Sequence, residues 1–332
     1  MKKIRKNIDY RHNKDLVTIK SRWSGNRTFR GRFLNNERNL SHGIGSILKW
    51  RLSANPQRVE KRNEKWNPPV RMLHSLGEVS GDALVWLGHS SFFMQLDGKR
   101  FLLDPVFGSI PFVRRESRLP VDPGIFTGID YLLISHDHYD HLDKKSVKRV
   151  LAMNPDITVV CGIGVGELIA QWGDGSANIV EAGWYQRYDA DPISITFLPA
   201  KHWSKRGAND GGSRLWGSFW ISGSRRSVYY SGDTGYGRHF REVRSLCGQP
   251  DVAVIGIGAY KPRWFMQRNH ISPYEALDAS AELGAGLTVP MHYGTFDLSD
   301  EPLSDPPRVF AREAGMRDIP VAIPKLGEIV RL

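Results

Sequence analysis

The stretch Ser135-His136-Asp137-His138-Tyr139-Asp140-His141-Leu142-Asp143 places three histidines and a well-spaced aspartate on one short segment. Imidazole nitrogens and carboxylate oxygens are good ligands for zinc and other divalent first-row metals. The segment follows the apolar run 131–135 (YLLIS), which reads as a strand buried on both faces. Side chains two apart on a strand share a face, so His136 and His138 point together. A change of direction after them brings in Asp140 and His141. Four such groups crowded on one loop would be costly to bury without a cation. Two ligand pairs from one loop point to two metals close together. Further candidates come singly, each behind an expected strand: His202 in Pro199-Ala200-Lys201-His202-Trp203, Asp233 in Ser231-Gly232-Asp233-Thr234-Gly235, and His292 in Met291-His292-Tyr293-Gly294. Strand C-termini are where the sites of layered α/β proteins gather. Two zinc ions per chain are therefore expected, with manganese or iron compatible with the same ligands.

The elements that must carry these residues begin near Ala83. Runs 83–87 and 91–96 read as strands, Asp97-Gly98 as a two-residue hairpin turn, and 100–103 as the return strand. Strand and helix signals then alternate: helix 144–153, strand 157–161, helix 163–172. Strands are expected at 193–198, 218–221, 227–230, 252–255 and 287–290, and helices at 240–246 and 273–283. Hairpins first and strand–helix units later predict sheets sandwiched between helices. Before this lies a segment of different character. Residues 43–52 have helical spacing, Trp66-Asn67-Pro68-Pro69 opens an extended connection, and residues 1 to about 28 lack periodicity and read as mobile.

Charge divides the chain of 332 residues at the same place. Residues 1–71 hold 19 Lys/Arg against 5 Asp/Glu, whereas residues 72–332 hold 27 against 30. The reading is a basic N-terminal extension over 1–71, partly mobile, and a hydrolase domain over 72–332. Such an extension suits an anionic membrane surface or nucleic acid, or serves as a solvated arm. Cys161 and Cys247 are far apart, which excludes a disulfide framework and a thiolate metal site. The basic start Met1-Lys2-Lys3-Ile4-Arg5-Lys6 is not followed by an apolar segment, and no apolar run is long enough to span a bilayer. A cytoplasmic protein is expected, with peripheral contact to the inner membrane face.

The order HxHxDH, His, Asp, His resembles that of the metallo-β-lactamase superfamily. More closely, the chain resembles N-acylphosphatidylethanolamine-hydrolysing phospholipase D and its bacterial relatives. The likeness lies in Trp86-Leu87-Gly88-His89, Phe101-Leu102-Leu103-Asp104-Pro105-Val106-Phe107, the HxHxDH segment, His202-Trp203-Ser204-Lys205-Arg206, Leu215-Trp216-Gly217-Ser218 and Ser231-Gly232-Asp233-Thr234-Gly235-Tyr236. Its most specific part is Ile255-Gly256-Ile257-Gly258-Ala259-Tyr260-Lys261-Pro262-Arg263-Trp264-Phe265-Met266, followed by His292-Tyr293-Gly294-Thr295-Phe296. It runs from about Gly31 to about Pro307.

This resemblance implies an αββα sandwich, with two central mixed β-sheets flanked by helices. It implies one zinc on His136, His138 and His202 and another on Asp140, His141 and His292, with Asp233 and a hydroxide bridging them. The implied activity is phospholipase D-type hydrolysis of N-acylated phosphatidylethanolamine, with membrane association. Asp140 and Asp233 would take catalytic parts as ligands, and His270 matches a family histidine near the active centre. Substrate-contact candidates are Tyr260, Arg263, Trp203 and Lys205, with Lys201 and Arg206 as further basic groups. Trp50, Trp184, Trp203, Trp216, Trp264 and Phe265 are candidates for an acyl groove. His89 reads as structural. The expected partner is a phospholipid or another anionic phosphodiester, and a homodimer is compatible with the sequence. Nucleic acid is disfavoured, because no RNA-binding module is recognisable. The rival readings are a lactonase or nucleic-acid phosphodiesterase on the same metals, or a metal- or lipid-binding protein without turnover.

Overall fold

The computed structural model describes residues 8–36 and 43–332. Two seven-stranded mixed sheets lie between helices. In the first, the strand order is Asn178–Ala182, Thr158–Gly162, Tyr131–Ile134, Lys99–Leu103, Ser91–Leu96, Ala83–Gly88, Ile329–Arg331. In the second it is Leu287–Met291, Val252–Gly256, Ser227–Tyr230, Ser218–Ser222, Ile193–Leu198, Gln186–Ala190, Val17–Thr18. Each sheet is parallel at its first-named end and antiparallel at the other. The expected αββα sandwich is the observed architecture.

Period-2 alternation assigns the two faces of the first sheet. Leu84, Trp86, Phe92 and Met94 turn inward to meet Phe197, Phe219 and Ile221 of the second sheet. Ala83, Val85, Leu87 and Phe93 turn outward to meet Val147, Val150 and Leu151 of the helix Lys144–Met153. All are buried, so the central strands read as continuous apolar runs. Helices His239–Cys247, Pro273–Leu283 and Asp305–Arg317 add Phe240, Leu277, Leu283 and Phe310 to the core on the side of the second sheet.

Several expectations are revised. The helix expected over 163–172 is reduced to Gly166–Ala170, because Gly164 sits at φ +88° and a helix cannot run through that conformation. Asn178–Ala182 and Gln186–Ala190, whose burial alternates weakly, are strands that periodicity did not reveal. Helix Asp305–Arg317 was hidden by Pro306 and Pro307, which its first turn tolerates. The segment read as mobile carries strands Asp9–Arg11, Val17–Thr18 and Asn26–Phe29. Polar side chains anchor this part: Asn13 donates to the Glu181 carbonyl at 2.8 Å, and the buried Asn26 accepts from the Trp184 amide at 3.0 Å. Residues 1–7 of the basic start lie outside the described residues. The helix expected over 43–52 is observed as Ile44–Leu52. Among the described residues no helix is long and apolar enough to cross a membrane.

Candidate metal centre

Strand Tyr131–Ile134 ends under the centre, and the following loop stops at Asp143, whose carboxylate caps helix Lys144–Met153 by accepting from the Ser146 amide at 2.9 Å. Between those two fixed points lie His136, His138, Asp140 and His141. The other sheet delivers His202, Asp233 and His292 from the loops after Ile193–Leu198, Ser227–Tyr230 and Leu287–Met291. Gly258 lets the last of these loops close, since a Cβ there would lie 1.9 Å from the His292 carbonyl oxygen.

The ligand-type side chains cluster as His136, His138, His202 and Asp233, as Asp140, His141 and His292 together with His89, and as Asp233 with His270 and His292. In the first group, His138 Nδ1 lies 3.0 Å from His136 Nε2 and 3.2 Å from His202 Nε2. Asp233 Oδ2 faces the same histidines, 3.9 Å from His136 Nε2 and 3.7 Å from His202 Nε2. In the second group, His141 Nε2 and His292 Nε2 lie 3.2 and 3.1 Å from the other oxygen, Asp233 Oδ1. They lie 3.8 and 3.6 Å from Asp140 Oδ2.

The chemistry of this donor set fits cations. His141 Nε2, His292 Nε2 and Asp233 Oδ1 are buried without a hydrogen-bond partner although they converge. Burial pushes His136 and His202 well below the usual histidine range, and their histidine neighbours add to that. Burial opposes ionisation of Asp140 and Asp233 too, yet the adjacent histidines hold both well below the carboxylate range. Against burial, Asp233 and Asp140 raise His141 well above its ordinary value and His292 to about 9. The carboxylates thus draw positive charge into the pocket. A divalent cation held by these groups would supply that charge.

The ligand-type groups are held from behind. The fully buried Asp104 accepts from Ser135 Oγ at 2.5 Å and from Tyr230 Oη at 2.8 Å, and lies 2.7 Å from His141 Nδ1. The Asn269 carbonyl lies 3.1 Å from His202 Nδ1. Asp137 faces away from the centre, accepting from the Lys205 amide at 2.9 Å and from Arg214 at 2.8 Å. Such partners set ring orientation and ligand basicity. Asp104 and His292 also sit at φ +40° and +62°. Each is a left-handed backbone costing on the order of 1–3 kcal/mol, held in place by the surrounding packing.

A sequence model of the β-lactamase superfamily domain matches residues 99–293. The chain belongs to the metallo-β-lactamase superfamily. This superfamily member is 35% identical to the N-acyl-phosphatidylethanolamine-hydrolyzing phospholipase D 1 of Caenorhabditis elegans over 66% of its own length. The match spans 65% of that relative, just under two thirds. It is 31% identical to a metal-dependent hydrolase of Methanopyrus kandleri, over 74% of this chain and 97% of that one. Among solved structures it superposes on the metallo-β-lactamase fold protein YhfI of Bacillus subtilis with a TM-score of 0.56 at 18% identity, covering 75% of this chain and 99% of that one. That likeness concerns the fold. Together with the buried His/Asp groups, these relatives make the protein a metal-dependent hydrolase of this superfamily, with a site fitted to two metals.

Other residues singled out in the hydrolase sequence fall into three sets. His270 and Trp203 lie at the centre: His270 Nδ1 is 3.8 Å from Asp233 Oδ2, and the Trp203 ring stands edge-on to His138 at 4.6 Å between centroids. Lys205, two residues beyond Trp203, is exposed. A second set has its polar ends committed inside the protein. The Tyr260 hydroxyl donates to Asp305, and Arg263 Nη2 donates to both Glu275 carboxylate oxygens at 2.6 and 2.7 Å. Lys201 donates to the Tyr236 carbonyl at 2.8 Å, and Arg206 to the carbonyls of Asp137 and Leu142 at 3.0 and 2.7 Å. Trp184 and Trp216 are core residues, not groove walls; their indoles donate to the carbonyls of Trp216 and Ala200.

The third set is His89, read as structural, whose Nε2 lies 3.0 Å from Asp140 Oδ2. Its position just beyond a hairpin strand was the available signal. Asp104 was passed over as a site residue, although an aspartate ending an apolar strand in Leu102-Leu103-Asp104 is itself a signal.

Proposed function

We propose that this protein is a dinuclear metal-dependent phosphodiesterase of phospholipase D type, acting on N-acylphosphatidylethanolamine-like lipids. The observation that carries the reading is the division of Asp233 between the groups, Oδ1 toward His141 and His292 and Oδ2 toward His136 and His202. His136, His138 and His202 would hold one cation, and Asp140, His141 and His292 the other, with Asp233 between. Bound there, two divalent cations supply Lewis acidity, which acidifies water and neutralises charge on a phosphodiester. Zinc suits the nitrogen-rich donors, and manganese or iron fits the same set. The similarity to the C. elegans phospholipase supports the choice of lipid phosphodiester.

The chain's own groups supply orientation. His270 lies over Asp233, and burial pushes its pKa down to about 4, so the ring is neutral at neutral pH. Its N–H is placed to donate to an oxygen of the substrate phosphate or of the departing N-acylethanolamine. Arg263 donates to the His270 carbonyl at 3.2 Å while held by Glu275, so it positions that loop. Trp203 borders the His138 side, and the exposed Lys205 is our candidate for meeting the phosphate's negative charge.

A lipid surface is the partner this reading requires. Helix Ile44–Leu52 exposes Ile47, Leu48 and Leu52, and Val59 and Trp264 lie exposed in nearby segments. Lys49 stands 5.0 Å over the Trp264 ring, and Trp50 stacks on Phe265 at 4.8 Å. Apolar side chains among basic ones suit an anionic membrane interface. The same helix is tied to the loop beyond His292, since Trp50 Nε1 donates to Asp300 at 3.1 Å. Lipid would therefore be drawn from the membrane close to the His270 side.

The test presents vesicles of N-acylphosphatidylethanolamine, a water-soluble phosphodiester, a lactone and structured RNA to the zinc-loaded enzyme. Release of N-acylethanolamine and phosphatidic acid is expected. Turnover of the lactone or RNA without lipid hydrolysis overturns the assignment.

A further inference from the structure

The turn that follows strand Ala83–Gly88 touches metal-centre loops carried by both sheets. Gly88 adopts φ +114°, and a Cβ there would lie 2.3 Å from Arg115 Nη2, so this position admits only glycine. Arg115 fills the space and donates to the carbonyls of Leu87 at 2.6 Å and Val106 at 2.8 Å. His89 follows at φ +52°, an uncommon conformation for a non-glycine residue.

His89 uses its side chain and its main chain on different partners. Its Nε2 lies 3.0 Å from Asp140 Oδ2, on the loop after the first sheet. Its carbonyl accepts from the His292 amide at 3.0 Å, on the loop after the second sheet. Its amide donates to Thr295 Oγ1 at 2.8 Å, which fixes the chain just beyond His292. The ring packs on His292 at 4.0 Å and edge-on to Phe296 at 5.0 Å between centroids, and it is almost wholly buried. A ring nitrogen facing a carboxylate carries the proton. The other nitrogen, Nδ1, is then a bare lone pair, in keeping with its being buried without a partner.

We propose that His89 is a positioning residue for one metal of the pair: its Nε2–H aims the Asp140 carboxylate while its main chain sets the His292 loop, so that ligands from opposite sheets meet around one cation. The inference rests on the dinuclear reading and adds a residue to it. It also makes the two metals unequal in their dependence on His89, because His136, His138 and His202 have no bond to it among the described contacts.

The experiment titrates zinc into the metal-stripped full chain against a chromophoric chelator, for the parent, His89→Ala, His89→Gln, His202→Ala and the His89→Ala/His202→Ala pair. Thermal unfolding of each metal-free protein is recorded alongside. The parent should take up two equivalents. His89→Ala should keep one site within about twofold and weaken the other by about tenfold or more. The pair of substitutions should leave no tight site. Glutamine can donate to Asp140 but is a poor zinc ligand, so His89→Gln should recover most of the lost affinity. Two undisturbed sites in His89→Ala, equal weakening of both, or a glutamine variant as weak as alanine would each overturn the proposal; the last would make His89 a direct ligand. Should the alanine variant fail to fold, the glutamine variant decides alone by retaining or losing its second equivalent. A parent that binds no zinc refutes the dinuclear reading itself.

Discussion

Asp104 Oδ2 lies 2.7 Å from His141 Nδ1, at the end of the ring opposite the nitrogen that faces Asp233. The carboxylate therefore sets which nitrogen of His141 carries the proton and which is free for a cation. Asp104→Asn replaces one acceptor oxygen by a donor that must face Ser135, Tyr230 or His141. Metal affinity at the Asp140–His141–His292 group should fall by about 10- to 100-fold, read by chelator competition.

Removing single ligands should separate the two groups. His202→Ala should leave about one metal per chain by elemental analysis. Asp233→Ala, which touches both groups, should weaken both, and a strong chelator should abolish hydrolysis in the parent. Restored turnover on adding zinc or manganese would show that the loss is metal removal and not unfolding.

His270 should separate catalysis from metal binding. With His270→Ala the metal content should stay at two per chain while kcat falls by about a hundredfold. Arg263→Gln should lower kcat in the same direction but less, because it only loosens the loop whose His270 carbonyl it holds. Unchanged turnover in His270→Ala would remove this residue from the mechanism.

His239, which is not among the ligand-type residues of the centre, predicts an acid-side loss of stability. It is buried, lies 3.1 Å from Thr234 Oγ1, and is pushed by burial from its ordinary 6.5 down to about 3. Above about pH 6.5 the ring is neutral in both folded and unfolded chains and costs nothing. As pH falls from there toward 3 the unfolded chain takes up the proton first, so stability is lost progressively. By pH 5 the loss should reach about 2 kcal/mol. Urea unfolding of the parent and of His239→Gln at pH 7.5 and 5 should show the smaller pH dependence in the variant.

The lipid surface should respond to negative charge introduced on its apolar side. Leu48→Glu with Leu52→Glu should weaken sedimentation with anionic vesicles by about tenfold and leave metal content at two. Equal binding of parent and variant would place the docking surface elsewhere.

Residues that act through their type and local spacing were legible from the chain alone. HxHxDH behind YLLI, and single His or Asp residues behind later strands, indicated a metal centre because strand ends offer few directions and buried polar ligands need a cation. The strand runs and the Asp97-Gly98 turn along 83–103 indicated a hairpin, and the structure places its two faces in separate cores. What failed was local too: Asn178–Ala182 and Gln186–Ala190 lack the periodicity that marks a strand, and their pairing comes from neighbours remote in sequence.

The ligand types, their order along the chain and the layered fold follow from the amino-acid sequence, because they depend on short-range chemistry and period-2 burial. Only the tertiary structure decided that Asp233 divides its two oxygens between the groups, that His89 reaches Asp140, and that Tyr260 and Arg263 are spent on Asp305 and Glu275. Those pairings join residues from different sheets and loops. Their choice of partner is made by the packing of one sheet on the other, which no local pattern encodes.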